Sequence, residues 1–342
     1  MAYPLIIFGA GASYDYSPLG KVGPLTIHLT DDEFLNPELL DRYPGAGSLL
    51  SSVIQQVKGK KRSFEEVLTE LKKQSSHSSR MRSHFAALEF YLQVLFETIS
   101  VDAGVPRKKR MHSINNYRDL INSIDTYADG KACIVTFNYD TLFERNIPGG
   151  PPQAMKDYVE GDLKVIKLHG SHDWIYALPR DSFASSSEER KTNFQLYLEN
   201  PGLLENLRKE KIAPYHKQEF ARKNTGSREF LKFPALALPL NEKDDYICPL
   251  SHIQTLERVL PNIDRVLIIG WSAGDPLLLE ILKNNLPKMG YKALVVADTA
   301  ENAEKVVRKV KKSISTHGEM FSIKEGGFSG FNSDETKRDF FT

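Results

Sequence analysis

Cysteine is nearly missing from this chain of 342 residues, which carries only Cys133 and Cys248. The two lie far apart in sequence, so no disulfide framework follows from them, and a reducing cytoplasm is the compartment that fits. Charge of one sign is also lacking. The formal net charge is +1, which gives the whole molecule no bias toward nucleic acid or a membrane surface. The longest apolar runs are far too short to cross a bilayer. No basic leader precedes the N-terminal MAYPLIIFGAGAS, which reads as a first strand rather than a signal peptide. Internal repeats and low-complexity tails are absent as well. What is present is ordinary for a folded protein: 41% hydrophobic and 26% charged residues, so disorder is not the default.

The length suffices for one large α/β domain with elaborations, or for two domains. The pattern along the chain favours the first. Short, continuous apolar runs at Pro4 to Phe8, Ala132 to Thr136, Leu163 to Leu168, Arg265 to Ile269 and Ala293 to Ala297 read as strands buried on both faces. Helical periodicity runs through Phe64 to Lys73, Ser83 to Ile99, Ser113 to Tyr127, Asp275 to Leu286 and Glu301 to Ser313. Strands alternating with helices predict a Rossmann-like, doubly wound parallel sheet. We read residues 1–342 as a single domain with helical insertions at about 40–130 and 180–232. The charged stretch from Ser182 to Lys232 reads as helix-like, with few strand signals.

A polar or glycine signature follows four of the strands, and doubly wound sheets bind ligands at the carboxyl ends of their strands. Gly9-Ala10-Gly11-Ala12-Ser13 suits a backbone that approaches a pyrophosphate, or a bare strand–helix turn. Thr136-Phe137-Asn138-Tyr139-Asp140 offers groups that hold ribose hydroxyls or a water, or that cap the next helix. His169, in Leu168-His169-Gly170-Ser171, is placed as a general base, or is structural. His172 reads as nearer a surface turn. Gly270-Trp271-Ser272-Ala273-Gly274-Asp275 opens a fourth strand end, with Asp275 a candidate cap for a helix beginning at Pro276.

Taken together, GAGAS, TFNYD, KLHGSHDW and IIGWSAGDP resemble the sirtuins, and most of all the bacterial sirtuin-like branch of anti-phage defence and toxin-type proteins. Pro234 to Lys243 also looks like that branch, whereas about 40–125 and 180–230 do not share in the resemblance. It implies an NAD-binding chain that takes NAD as substrate. Gly9, Gly11 and Ser13 would contact the diphosphate, with Ala10 and Thr136 in the same binding set. Asn138 and Asp140 would line the nicotinamide-ribose pocket, with His169 the catalytic base. Gly270 and Ser272 would close the other side, and Asp298 would stand at the adenosine end.

Two departures from deacylating sirtuins matter. Two cysteines cannot build their four-thiolate zinc site, so no metal is expected. The stretch Tyr14 to Thr26 also lacks the arginine of their Phe-Arg segment. Both steer toward an NAD nucleosidase releasing nicotinamide and ADP-ribose, an effector that depletes NAD. The alternatives are a protein deacylase and a non-catalytic NAD or ADP-ribose-binding module. The resemblance further implies a homo-oligomer, or action with a hexameric DNA-translocating ATPase. The basic runs Lys58 to Arg62, Arg107 to Arg110 and Lys305 to Lys312 are candidate contacts for nucleic acid or a partner, although a solvated face is the favoured reading.

Overall fold

The computed structural model describes residues 3–17, 29, 35–60, 62–75, 77–104, 115–179, 193–199, 212–214, 230–240, 246–287, 290–314, 320–332 and 334–342. The basic run 107–110 and most of 180–232 lie outside these residues, as do parts of 14–26, 58–62 and 234–243.

Six strands build the main sheet: β1 (Pro4–Phe8), β2 (Ala132–Thr136), β3 (Leu163–Lys167), β7 (Arg265–Ile269), β8 (Lys292–Val296) and β9 (Met320–Lys324). Their order is β3-β2-β1-β7-β8-β9, and every pairing is parallel. This is the expected Rossmann-like α/β architecture. Leu5, Ile6, Ile7 and Phe8 are wholly buried, as strands covered on both faces must be. The chain winds from β1 toward β3 on one side and returns to β7 on the other. The order therefore reverses between β1 and β7, and a crevice opens outside their carboxyl ends.

Six helices occupy most of the described residues between β1 and β2: α1 (Ala10–Tyr14), α2 (Pro37–Arg42), α3 (Pro44–Lys60), α4 (Phe64–Ser75), α5 (Ser79–Gly104) and α6 (Asn116–Ala128). Ser63 and Glu66 cap α4 reciprocally: the Glu66 amide donates to Ser63 Oγ at 3.1 Å, and the Ser63 amide to Glu66 Oε2 at 2.9 Å. Asn115 caps α6 through the Arg118 amide at 2.9 Å.

A second, antiparallel sheet was not anticipated. It consists of β4 (Gly170–Pro179), β5 (Ile212–Pro214) and β6 (Phe230–Leu236), in the order β5-β4-β6. Part of the stretch read as helix-like is thus strand; only α7 (Asn193–Glu199) is helix among its described residues. Pro234 inside β6 masks the strand signal, because proline is confined to strand positions whose amide needs no ladder partner. His172 is also corrected: it lies on β4 and is 7% exposed, not at a surface turn.

The chain closes with α8 (Leu250–Val259), α9 (Pro276–Asn285), α10 (Ala300–Ile314), α11 (Gly327–Phe331) and α12 (Asp334–Phe341). Asp275 caps α9 by accepting from the Leu278 amide at 2.8 Å, with Pro276 in the first turn. The Phe8 ring meets Tyr117, Phe143 and Phe328 at centroid distances of 5.1, 5.5 and 5.9 Å, tying β1 to α6 and α11. No helix among the described residues is long and apolar enough to cross a membrane.

Candidate functional site

A cleft of about 910 Å³ lies at the carboxyl ends of β1, β2, β3 and β7. That volume suits a dinucleotide-sized ligand. Gly9, Ala10, Gly11, Ser13, Asn138, Asp140, His169, Gly270, Ser272 and Asp298 all line it. Thr136 does not; its Oγ1 instead accepts from the Asn138 amide at 3.1 Å and fixes the backbone where the cleft loop begins.

The glycines at 9, 11 and 270 have a reason before any ligand is considered. A Cβ on Gly9 would come within 2.4 Å of the Gly270 carbonyl oxygen, and one on Gly11 within 2.8 Å of the Gly270 Cα. Gly270 itself has φ +63, and a Cβ there would reach 2.4 Å from the Ala12 amide nitrogen. The turns after β1 and β7 are thus pressed together, backbone on backbone. The Gly9 and Gly11 amides donate to Ile269 and Gly270 at 3.0 and 3.2 Å. The Ala12 amide turns back to Gly9 at 3.0 Å. The loop is therefore a rigid floor whose glycines serve this contact first.

Asn138 is the best-held polar side chain of the floor. Its Nδ2 donates to Ser13 Oγ at 2.9 Å and lies 3.5 Å from the Tyr117 hydroxyl, and Ser13 Oγ and Tyr117 OH share a hydrogen bond of 2.9 Å. All three residues are buried, at 7%, 5% and 1% exposure. Burial drives the Tyr117 hydroxyl far above the usual phenol range, so it remains a neutral donor and acceptor. With Nδ2 engaged, the Oδ1 of Asn138 is the atom left to accept from a hydroxyl or a water. Asp140 accepts from the Leu142 amide at 3.0 Å, the local capping role its residue type favours.

His169 faces a second carboxylate. Its Nε2 lies 3.4 Å from Asp275 Oδ2, while Asp275 Oδ1 accepts from Tyr246 OH and the Leu278 amide, each at 2.8 Å. Burial would raise the Asp275 carboxyl, but the hydrogen bonds from His169, Leu278 and Tyr246 together hold it below its ordinary value. Asp275 is therefore both a helix cap and an ionised partner for the imidazole. Phe137 packs edge-on against His169 at 4.8 Å and stacks on Trp271 at 5.4 Å, which closes the ring in from the sheet side.

The C-terminal segment forms part of the rim. Asp15 accepts from the Ser329 amide at 2.8 Å and from Ser329 Oγ at 3.1 Å, joining the end of α1 to α11. Asp298 accepts from the Thr299 amide at 2.9 Å and from Asn302 Nδ2 at 2.8 Å. Lys309 reaches across to the Ser272 carbonyl at 2.9 Å. Among the described residues, no group of three or more His, Cys, Asp or Glu side chains is placed to hold a metal ion.

Sequence reasoning missed Tyr117, Tyr246 and Asp15. No strand-end signature marks the two tyrosines. Tyr117 sits within an ordinary apolar helical stripe, and only its buried hydroxyl in the folded chain sets it apart.

No family model matches this chain, and no curated protein matches it. Its structural neighbours include Sir2 enzymes. A Sir2 enzyme structure bearing on mechanism and regulation aligns at 14% identity over 92% of this chain and 93% of that one, with a TM-score of 0.38. Sir2 in complex with an inhibitor, 2'-O-acetyl-ADP-ribose and a deacetylated peptide aligns at 11% identity over 99% and 95%, with a TM-score of 0.37.

Proposed function

We propose that this chain binds NAD in the cleft between β1 and β7 and hydrolyses its nicotinamide–ribose bond, giving nicotinamide and ADP-ribose. One observation carries the reading. Two hydrogen-bonded sets, Ser13–Asn138–Tyr117 and His169–Asp275–Tyr246, meet at one cleft, which Ser13, Asn138, His169 and Asp275 line. The motifs that resemble the sirtuins supply most of both sets.

In this reading Asn138 Oδ1 orients a ribose hydroxyl or the attacking water, its amide held from behind by Ser13 and Tyr117. Water attacks the anomeric carbon as the bond to the pyridinium nitrogen breaks, and that bond's electron pair leaves with nicotinamide. The proton released goes to the His169 ring, and Asp275 stabilises the imidazolium that forms. General-base assistance of this kind contributes roughly 10²–10⁴-fold. Asn138→Ala and His169→Ala should therefore lower nicotinamide release by about two to four orders of magnitude while each variant stays folded. Undiminished release from both, measured with NAD in excess, would sink the assignment.

The same assay separates the alternatives. Nicotinamide release that requires an acetyl-lysine peptide marks a deacylase. Tight dinucleotide binding without any release marks a binding module. The wider reading is an anti-phage effector that depletes NAD, assembled as a homo-oligomer or driven by a hexameric DNA-translocating ATPase. It rests on the motif resemblance, with the basic residues of Lys305 to Lys312, on the polar face of α10, as the candidate contact for such a partner.

A further inference from the structure

Five carboxylates line the cleft: Asp15, Glu65, Asp140, Asp275 and Asp298. Four of them have protein donors. Ser329 holds Asp15, the Leu142 amide holds Asp140, and the Thr299 amide and Asn302 hold Asp298. Asp275 takes His169, Tyr246 and the Leu278 amide. Glu65 differs. Its carboxylate has no hydrogen bond or ion pair among the described residues, although its own main-chain carbonyl accepts from Thr69 Oγ1 at 2.7 Å. It does not serve as the cap of α4, since the neighbouring Glu66 fills that role.

Two aromatic side chains share the cleft lining with Glu65 and pack on each other. Phe96, from α5, packs on Tyr139 at 5.0 Å, and Tyr139 lies 6.2 Å from the His169 ring. Phe96 and Tyr139 line the cleft together with Glu65. Burial holds the Tyr139 hydroxyl un-ionised, and the Glu65 charge acts in the same direction. A carboxylate with no partner among the described residues, lining a partly desolvated cleft together with aromatic rings, is the chemistry that selects an organic cation.

We propose that Glu65, with Phe96 and Tyr139, forms a cation-recognition end of the cleft that takes the positively charged pyridinium ring of an oxidised nicotinamide dinucleotide in preference to the neutral reduced ring. The proposal rests on the reading that the cleft binds NAD. It gives the insertion helices α4 and α5 a direct part in substrate choice. Through Tyr139 this end of the cleft adjoins the His169 ring, where the bond from the pyridinium to ribose must lie to meet the base.

The test is calorimetric titration of wild type, Glu65→Gln and Glu65→Lys with three probes. These are carbocyclic NAD+, which keeps the ring charge and resists cleavage, NADH, and ADP-ribose, which has no ring. Wild type should bind the carbocyclic NAD+ about tenfold more tightly than NADH, Glu65→Gln should bring the two within about twofold, and Glu65→Lys should reverse the order. ADP-ribose affinity should stay the same in all three proteins. An unchanged ratio in Glu65→Gln overturns the proposal, as does an equal loss for all three probes, which a purely structural glutamate would give. If wild type binds ADP-ribose and both dinucleotides without charge preference, this inference alone fails. If it binds none of the three, the NAD reading fails with it.

Discussion

At the scale of single residues, Asp275 shows how one side chain serves structure and chemistry at once. One oxygen caps α9, and the other faces His169. Asparagine can still cap a helix about as well as aspartate, but it cannot offer the imidazole a negative charge. On the proposed function, Asp275→Asn should therefore leave the melting temperature nearly unchanged and lower kcat by roughly 10- to 100-fold, by analogy with the loss seen when a histidine's orienting partner is removed. In the same reading KM for NAD should stay close to wild type, since Asp275 would act through His169 rather than on the substrate. A kcat equal to wild type, measured by nicotinamide release, would leave Asp275 as a cap alone. The sequence allowed this capping role to be read from Asp275-Pro276, because capping is local. The contact with His169 spans 106 positions and depends on β3 and β7 ending at the same edge. The same distinction explains Tyr117. Its place on an apolar helical stripe is local and legible; the meeting of its hydroxyl with Ser13, 104 positions away, is not.

At the scale of elements, the loop carrying Asn138 and Asp140 rests on a buried ion pair. Lys167, the last residue of β3, is wholly buried, and its Nζ lies 2.6 Å from Glu144 Oε1 and donates to the Asp140 carbonyl at 2.5 Å. Burial pushes the Glu144 carboxyl up, and the Lys167 charge opposes that shift. Removing one partner leaves the other charge buried and alone. Lys167→Met should cost about 3–5 kcal/mol of folding stability, and Lys167→Met with Glu144→Met should recover much of it. Denaturant unfolding of the two variants checks this; equal losses would show that the pair is not coupled. Sequence reading found β1, β2, β3, β7 and β8 because fully buried parallel strands leave unbroken apolar runs. It missed β9, whose Phe321, Ser322 and Ile323 alternate too briefly, and it missed the antiparallel sheet. β5 has three residues, β6 contains Pro234, and β4 opens on Gly170-Ser171-His172-Asp173. None of those three presents the run that a strand search looks for. Lys167 was hidden for the opposite reason, since a lysine at a strand end ordinarily reads as solvated.

For the whole molecule, two buried histidines set how the fold responds to acid. His252, on α8, is wholly buried between Tyr158 and Trp174 at centroid distances of 5.9 and 5.8 Å, where the second sheet meets the main one. Its Nε2 donates to the Met155 carbonyl at 3.0 Å, and its buried Nδ1 has no hydrogen-bond partner among the described residues. A proton on Nδ1 would therefore point at no acceptor among the described residues. Burial lowers the His252 pKa from 6.5 to about 4, against a smaller upward pull from the Met155 carbonyl. His172 is lowered as well, first by burial. The unfolded chain binds these protons below about pH 6.5 while the folded chain does not, so stability falls as pH drops, most steeply between pH 6.5 and 4. Above that window the term is absent. For His252 alone the full loss is on the order of 3 kcal/mol, from about 1.4 kcal/mol per pKa unit. Asp275 adds a loss of its own, but at lower pH, because its pKa lies below the ordinary 3.8. The two windows separate the causes. Urea unfolding at pH 7.5 and pH 5 should show wild type losing clearly more stability than His252→Gln, whose amide can still donate to Met155 and cannot take a proton. Parallel losses in the two proteins would place the acid sensitivity elsewhere, with His172 the next residue to replace.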